Sequence, residues 1–265
     1  MIDIIAASTD LGITYDGANQ GPKVIIDRLS NKLNKIEIIK PNIIKEKNKT
    51  NLAKNLDSII KYNEKLYKQI DYSLKNNNFP ITIGGDHSIA TASILASANN
   101  NGDIGVIWID GHTDFNTFET TETGNIHGLP LASVCGLCKK LTNNLNSNFI
   151  NPKKCVVIGA RSIDKEELNN LKNNQVKVFS TNDIKKIGVK KIMEKSLKIA
   201  GNKFHVSYDL DVIKMQDIIP TCITEFGTIN KSNLRKTCRN YYQFENHGLL
   251  PSVVYNSQPE YLKSP

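Results

Sequence analysis

The sequence predicts an α/β protein with a largely parallel sheet covered by helices on both faces. Two observations carry this prediction. Short apolar runs rich in β-branched residues recur along the chain, and Ile104–Ile109 is the clearest, reading as a strand buried on both faces. Between these runs lie segments with helical spacing, so strands and helices alternate from end to end. No internal repeat and no linker-like stretch is visible. Residues 1–265 therefore read as a single domain, long enough for a substantial core.

Residues 2–7 read as the first strand. A Gly-rich connection follows from Asp10 to Gly21, and Pro22 suits the first turn of a helix over 22–34. A short strand is expected at Ile36–Ile39. Leu52, Leu56, Ile59, Leu66, Ile70 and Leu74 repeat at helical spacing, which predicts a core-covering helix over 52–77. Phe79–Ile83 is the next strand. It runs into Gly84 and Gly85, where a tight turn and a close backbone approach are expected, and Ser88 can then start a helix to Ala98. After the 104–109 strand, 128–139 reads as a helix and 141–152 as a polar surface loop. Strands at 154–159, 176–179 and 204–208 complete the pattern, with Glu166 and Glu167 in the first turn of one helix and another helix over 188–200.

Composition excludes several classes. The formal charge of +8 raises a nucleic-acid or membrane-surface partner. The lysines, however, are spread among Asn and Ile, with no dense basic block and no aromatic–basic interleaving, so a solvated surface and no nucleic-acid partner are expected. Five cysteines in odd, scattered spacing do not make a disulfide framework. Cys135 and Cys138 form a lone C-x-x-C with no second pair to complete a zinc site, and read as two small apolar residues. The N-terminus lacks a basic leader and no apolar run reaches membrane-spanning length, so a cytoplasmic protein is expected.

Chemistry-bearing residues collect at the ends of the strands. Asp110, His112 and Asp114 follow the 104–109 strand at two-residue spacing, and an extended chain would turn all three to one side. Asp209 and Asp211 repeat this logic after the 204–208 strand, and His87 sits at another strand-to-helix turn. Oxygen and nitrogen donors of this hardness favour Mn²⁺, Mg²⁺ or Zn²⁺. Two histidines and four carboxylates exceed the needs of one cation and suit two, bridged by carboxylates, with a shared water activated to hydroxide at neutral pH. His127 is placed to move the proton. Asn116, Thr123, Gly124 and Asn125 form a polar loop beyond the strand ends, where α/β proteins commonly bind substrates.

GGDHS at 84–88, IDGHTDFNT at 109–117, TGNIHGLPLA at 123–132, IGARSID at 158–164 and SYDLD at 207–211 resemble the signature blocks of the ureohydrolase family of arginases, agmatinases and formiminoglutamases. The order and spacing match over residues 1–211, and DFNT, TGNIHG and GARSID are most similar to the arginase branch. The resemblance implies a three-layer α/β/α fold with a mostly parallel eight-stranded sheet. It also implies two Mn²⁺ ions per subunit. His87 and Asp114 would bind one, His112 and Asp211 the other, and Asp110 and Asp209 would bridge them. The activity implied is hydrolysis of the guanidinium group of L-arginine to L-ornithine and urea by a metal-bridging hydroxide, with His127 as proton shuttle. Asn116, Thr123 and Asn125 would hold the substrate carboxylate. Asp164, and less directly Glu167, would accept its α-amino group. A homo-oligomer, trimer or hexamer, is expected.

Residues 212–265 depart from the pattern. Lys214 and Met215 stand where the family continues with Asp-Pro, and 218–228 keeps little of the usual Gly/Thr/Pro-rich loop. Val253–Pro259 aligns with the family's last strand and puts Asn256 where a Glu pairs with the guanidinium. An Asn offers only a neutral hydrogen bond there. A related enzyme for another guanidino or formimino substrate, or a catalytically impaired metal-binding relative, is the alternative expectation.

Overall fold

The computed structural model describes residues 2–29, 36–39, 53–145, 148–213 and 253–257. Its centre is one eight-stranded sheet of order β2-β1-β3-β8-β7-β4-β5-β6. The strands are β1 (Ile2–Ala7), β2 (Ile36–Ile39), β3 (Phe79–Gly84), β4 (Gly105–Ile109), β5 (Cys155–Ala160), β6 (Lys177–Ser180), β7 (Phe204–Tyr208) and β8 (Val253–Ser257). All pair in parallel except β8, which lies antiparallel between β3 and β7. The sheet is therefore mostly parallel, as expected.

The helices are α1 (Gly21–Leu29), α2 (Leu56–Lys75), α3 (Ala90–Asn101), α4 (Pro130–Val134), α5 (Lys165–Asn173), α6 (Thr181–Ile187) and α7 (Val189–Ala200). Alternation along β4 shows how the layers form. Val106 and Trp108 pack with residues of α2, α3, α4 and α5 on one face. Ile107 and Ile109 pack with residues of α6 and α7 on the other. Ile4 and Ala6 of β1 meet Ile26 of α1 on the face opposite Ile5 and Ala7. Each inner strand is thus buried twice, which is why it reads as a continuous apolar run.

Three elements differ from the expectation. The helix expected over 128–139 is only five residues long, because Gly136 takes φ +87° and turns the chain against Phe149. Cys135 and Cys138 consequently do not share a helical turn, although Cys138 is buried as a small apolar residue would be. The expected 52–77 helix begins at Leu56, after Asn55 in the left-handed region, and ends at Lys75. Helix α6 was not expected at all. Its signal is a capping box: Ser180 Oγ accepts from Asp183 N at 3.1 Å, and Asp183 Oδ2 accepts from Ser180 N at 2.8 Å. The rest of the predicted 22–34 helix beyond Leu29 lies outside the described residues. So do Lys214, Met215 and the 218–228 loop.

Candidate metal centre

The strand order sets β3, β7, β4 and β5 side by side, apart from the intervening β8, and gathers their carboxyl ends at one rim. The turns leaving β3, β4 and β7 share one device. Asp86 Oδ1 accepts from Ser88 N at 2.9 Å, Asp110 Oδ1 from His112 N at 2.7 Å, and Asp209 Oδ1 from Asp211 N at 2.9 Å. A carboxylate bonding the amide two residues on is an Asx turn, which stops a strand sharply. The extended run through 110–114 that the sequence suggested is therefore absent. Strand β4 ends at Ile109, and Asp114 carries φ +46°, a left-handed conformation uncommon for a residue other than glycine. Asp209–Asp211 likewise leaves β7 through a short 3₁₀ turn.

These turns bring the side chains together. His87 Nδ1 lies 3.0 Å from Asp110 Oδ2, 3.1 Å from Asp114 Oδ2 and 3.2 Å from Asp209 Oδ2. His112 Nδ1 lies 2.8 Å from Asp211 Oδ2 and 3.6 Å from Asp110 Oδ1. Two groups suited to a cation result, His87–Asp110–Asp209 and Asp110–His112–Asp211, and Asp110 belongs to both. Outer contacts fix the donors. His87 Nε2 meets Ser207 Oγ at 2.7 Å, and with Nδ1 holding a cation Nε2 would carry the proton and donate to that hydroxyl. The His87 ring stacks on Trp108, whose Nε1 donates to Asp110 Oδ2 at 3.0 Å. Asp211 Oδ1 accepts from Gly111 N at 3.0 Å, and Arg161 Nη2 donates to the Asp211 carbonyl at 2.7 Å.

Electrostatics show that this cage needs positive charge. Burial and the nearby Asp110 charge push Asp114 up to about 8. Burial, Asp110 and Asp209 push Asp211 up to about 7. Burial opposes charge on Asp110 too, but hydrogen bonds from His112 and His87 outweigh it and hold this carboxyl well below the usual range. Burial would likewise lower both imidazoles, yet carboxylate hydrogen bonds raise His87 well above its ordinary value and His112 to about 12. Three buried carboxylates, with the half-buried Asp209 beside them, repel one another when ionised unless cations stand among them. Oxygen and imidazole donors, one carboxylate common to both groups, and this repulsion fit two hard divalent ions.

The expected substrate loops lie beside the cage. Asn116 Nδ2 donates to Asp164 Oδ2 at 3.0 Å, joining two of the predicted binding residues. Thr123 Oγ1 accepts from Asn125 N at 3.2 Å, and Asn125 Oδ1 accepts from Thr14 Oγ1 at 2.6 Å. His127 is half-buried, and its backbone N–H donates to the Gly12 carbonyl at 3.0 Å. Desolvation and the nearby His112 push its imidazole down to about 4. Glu167 is buried, and its two oxygens accept from Phe115 N at 2.8 Å and Asp164 N at 3.2 Å. It holds the loop and the α5 terminus in place from below. Asn256 lies in β8, in register with His205. Sequence reasoning missed Trp108, Ser207 and Asp86. Trp108 and Ser207 each precede a rim aspartate by two residues, a spacing that carried the signal.

Fold and site together define a three-layer α/β protein whose carboxylate–histidine cage at the sheet rim suits a pair of cations. The profile of the Arginase family matches residues 1–249. The arginase of Staphylococcus aureus (strain COL) is 37% identical over 227 residues, which is 80% of this chain and 75% of the relative. That of Bacillus subtilis (strain 168) is 37% identical over 228 residues, 82% and 77% of the two chains. A crystal structure of Bacillus subtilis arginase superposes with TM-score 0.78 at 32% identity, covering 91% of this chain and 85% of that one. Entamoeba histolytica arginase, solved in complex with L-ornithine, gives TM-score 0.84 at 27% identity, covering 96% and 91%. The chain belongs to the arginase family and is a hydrolase. No helix among the described residues is long and apolar enough to cross a membrane.

Proposed function

We propose that this protein is a manganese-dependent arginase that hydrolyses the guanidinium group of L-arginine to L-ornithine and urea. The observation that carries the reading is Asp110, shared between two cation-suited groups at the sheet rim. His87 and Asp114 would hold one ion, His112 and Asp211 the other, and Asp110 and Asp209 would be common to both. When bound, such a pair lowers the pKa of a shared water so that it attacks at neutral pH.

The chain's own residues supply the rest. The carboxylate-rich rim attracts the cationic guanidinium and orients it. Asn116 donates to Asp164 Oδ2, and Asp164 would accept the substrate's α-amino group. Thr123 and Asn125 contribute donors for the carboxylate. His127 would carry a proton to the leaving amine; burial lowers its imidazole and keeps it uncharged between transfers. The L-ornithine bound by the Entamoeba relative is the product this reaction would release. Residues 1–265 act as one domain in this reading, in the cytoplasm and as a trimer or hexamer, which sedimentation would check.

Asn256 in place of a carboxylate, on a strand antiparallel to its neighbours, favours a second reading: another guanidino or formimino substrate, or weak turnover. The deciding experiment loads purified protein with Mn²⁺, confirms two ions per chain, and measures urea from L-arginine beside a panel including agmatine. Urea from arginine in preference to the panel supports the first reading. Another preferred substrate, or none with two ions bound, overturns it.

A further inference from the structure

Lys54 stands just before α2, far in sequence from every block that forms the cage. Its backbone N–H donates to the Gly124 carbonyl at 3.1 Å, which docks it on the 123–127 loop. Its ammonium donates to Thr14 Oγ1 at 3.2 Å, and the Thr14 hydroxyl donates onward to Asn125 Oδ1 at 2.6 Å. That second bond fixes the Asn125 amide and leaves its NH₂ as the group available to an incoming acceptor.

The backbone around Lys54 is held in an uncommon shape. Ala53 has φ +89° and Asn55 φ +57°, so both neighbours are left-handed. Asn tolerates this conformation, but Ala bears a steric cost, which persists only where surrounding structure enforces it. The enforcing contact is buried: Asn55 Nδ2 donates to the Leu11 carbonyl at 2.9 Å. The Leu11–Thr14 loop, the 53–55 turn and the 124–127 loop are therefore tied together, and the tie presents one ammonium on the substrate-loop side.

We propose that Lys54, relayed through Thr14 and Asn125, is the charge that reads the α-carboxylate of an amino-acid substrate and so sets preference for amino acids over their decarboxylated amines. This rests on the proposed reading of the 123–125 loop as the carboxylate subsite. The site is then bipolar, with the carboxylate cage at one end drawing the guanidinium and the ammonium at the other drawing the carboxylate. A cation beside Asn125 also repels a substrate bound the wrong way round.

The test is equilibrium binding to the Mn²⁺-loaded protein, which needs no turnover. L-Ornithine and putrescine differ only in the carboxylate. Wild type is expected to bind ornithine more tightly. Lys54→Met should weaken ornithine by about two- to fivefold, since the charge acts through Thr14 and Asn125 and not in contact, and should not weaken putrescine. Lys54→Arg should keep most of the preference, and Thr14→Val should lose part of it. If ornithine wins in wild type and Lys54→Met, verified as folded by its melting curve, binds it equally well, the role of Lys54 is overturned while the carboxylate subsite stands. If wild type binds ornithine no better than putrescine, the subsite reading and the role of Lys54 fall together.

Discussion

Trp108 Nε1 donates to Asp110 Oδ2 at 3.0 Å, and Asp110 is the carboxylate common to both cation-suited groups. The same indole stacks on His87 with 4.1 Å between ring centroids, so one buried side chain orients two of the proposed ligands, from the turns after β3 and β4. Trp108→Phe keeps the stacking surface and removes the N–H. Manganese affinity should fall roughly 10–100-fold, the usual cost of losing an outer-sphere partner. Metal titration with the fold monitored by circular dichroism checks this, and unchanged affinity would show that the bond is incidental.

Asp110→Asn removes the shared carboxylate itself. Both groups lose a charged donor at once, so the loss of metal should exceed the effect at Trp108. Elemental analysis after dialysis should find fewer than two ions per chain, with urea release lowered by more than ~100-fold. Retention of two ions would mean that Asp209 alone can bridge them.

Gly85 shows why the turn after β3 requires glycine. A Cβ placed there would lie 1.7 Å from the Thr9 carbonyl oxygen, and Asp86 N donates to that same oxygen at 2.9 Å. Backbone cannot move aside as a side-chain tip can. Gly85→Ala should destabilise the protein by about 1–3 kcal/mol or more, the range for overpacking, as read from denaturant midpoints.

His205 gives a pH dependence remote from the cage. Burial lowers its pKa from 6.5 to about 3, and its Nδ1 lies 2.9 Å from Ser97 Oγ. The unfolded chain gains the proton first. Between these values the unfolded state therefore binds more protons, and stability falls as pH drops below 6.5. The contribution lost by pH 5 is ~2 kcal/mol for this one group. Urea denaturation of His205→Leu at pH 7 and pH 5 should show a smaller acid loss than wild type. An equal loss would place the acid sensitivity elsewhere.

Ser180 caps α6 with its hydroxyl and exchanges a second bond with Asp183. Ser180→Ala should cost about 1 kcal/mol, visible as a lower Tm with no change in manganese binding. A parallel loss of metal would mean that α6 supports the rim more directly than its place beyond β5 indicates.

Much of this protein was legible locally. Strands β1 to β7 follow from apolar runs, and the 52–77 periodicity reports the face of α2 that meets the sheet. The residue types at the rim pointed to hard cations before any geometry was known. Helix α6 was legible too, through its Ser180–Asp183 box, but lies hidden between a strand and a stronger helix.

What the sequence by itself determined is therefore the order of the elements and the donor set: two imidazoles and four carboxylates, each just past a strand. Period and residue chemistry are local properties and survive in one dimension. What only the tertiary structure decided is how those donors meet. Asx turns at Asp110 and Asp209 and the left-handed Asp114 replace the extended chain, and strand order brings β3, β4 and β7 to one rim. The outer partners Trp108 and Ser207, and the placement of Lys54 beside Asn125, belong to the same class. A side chain's partners across tens of residues are set by packing of the whole sheet, and spacing along the chain carries no record of that distance.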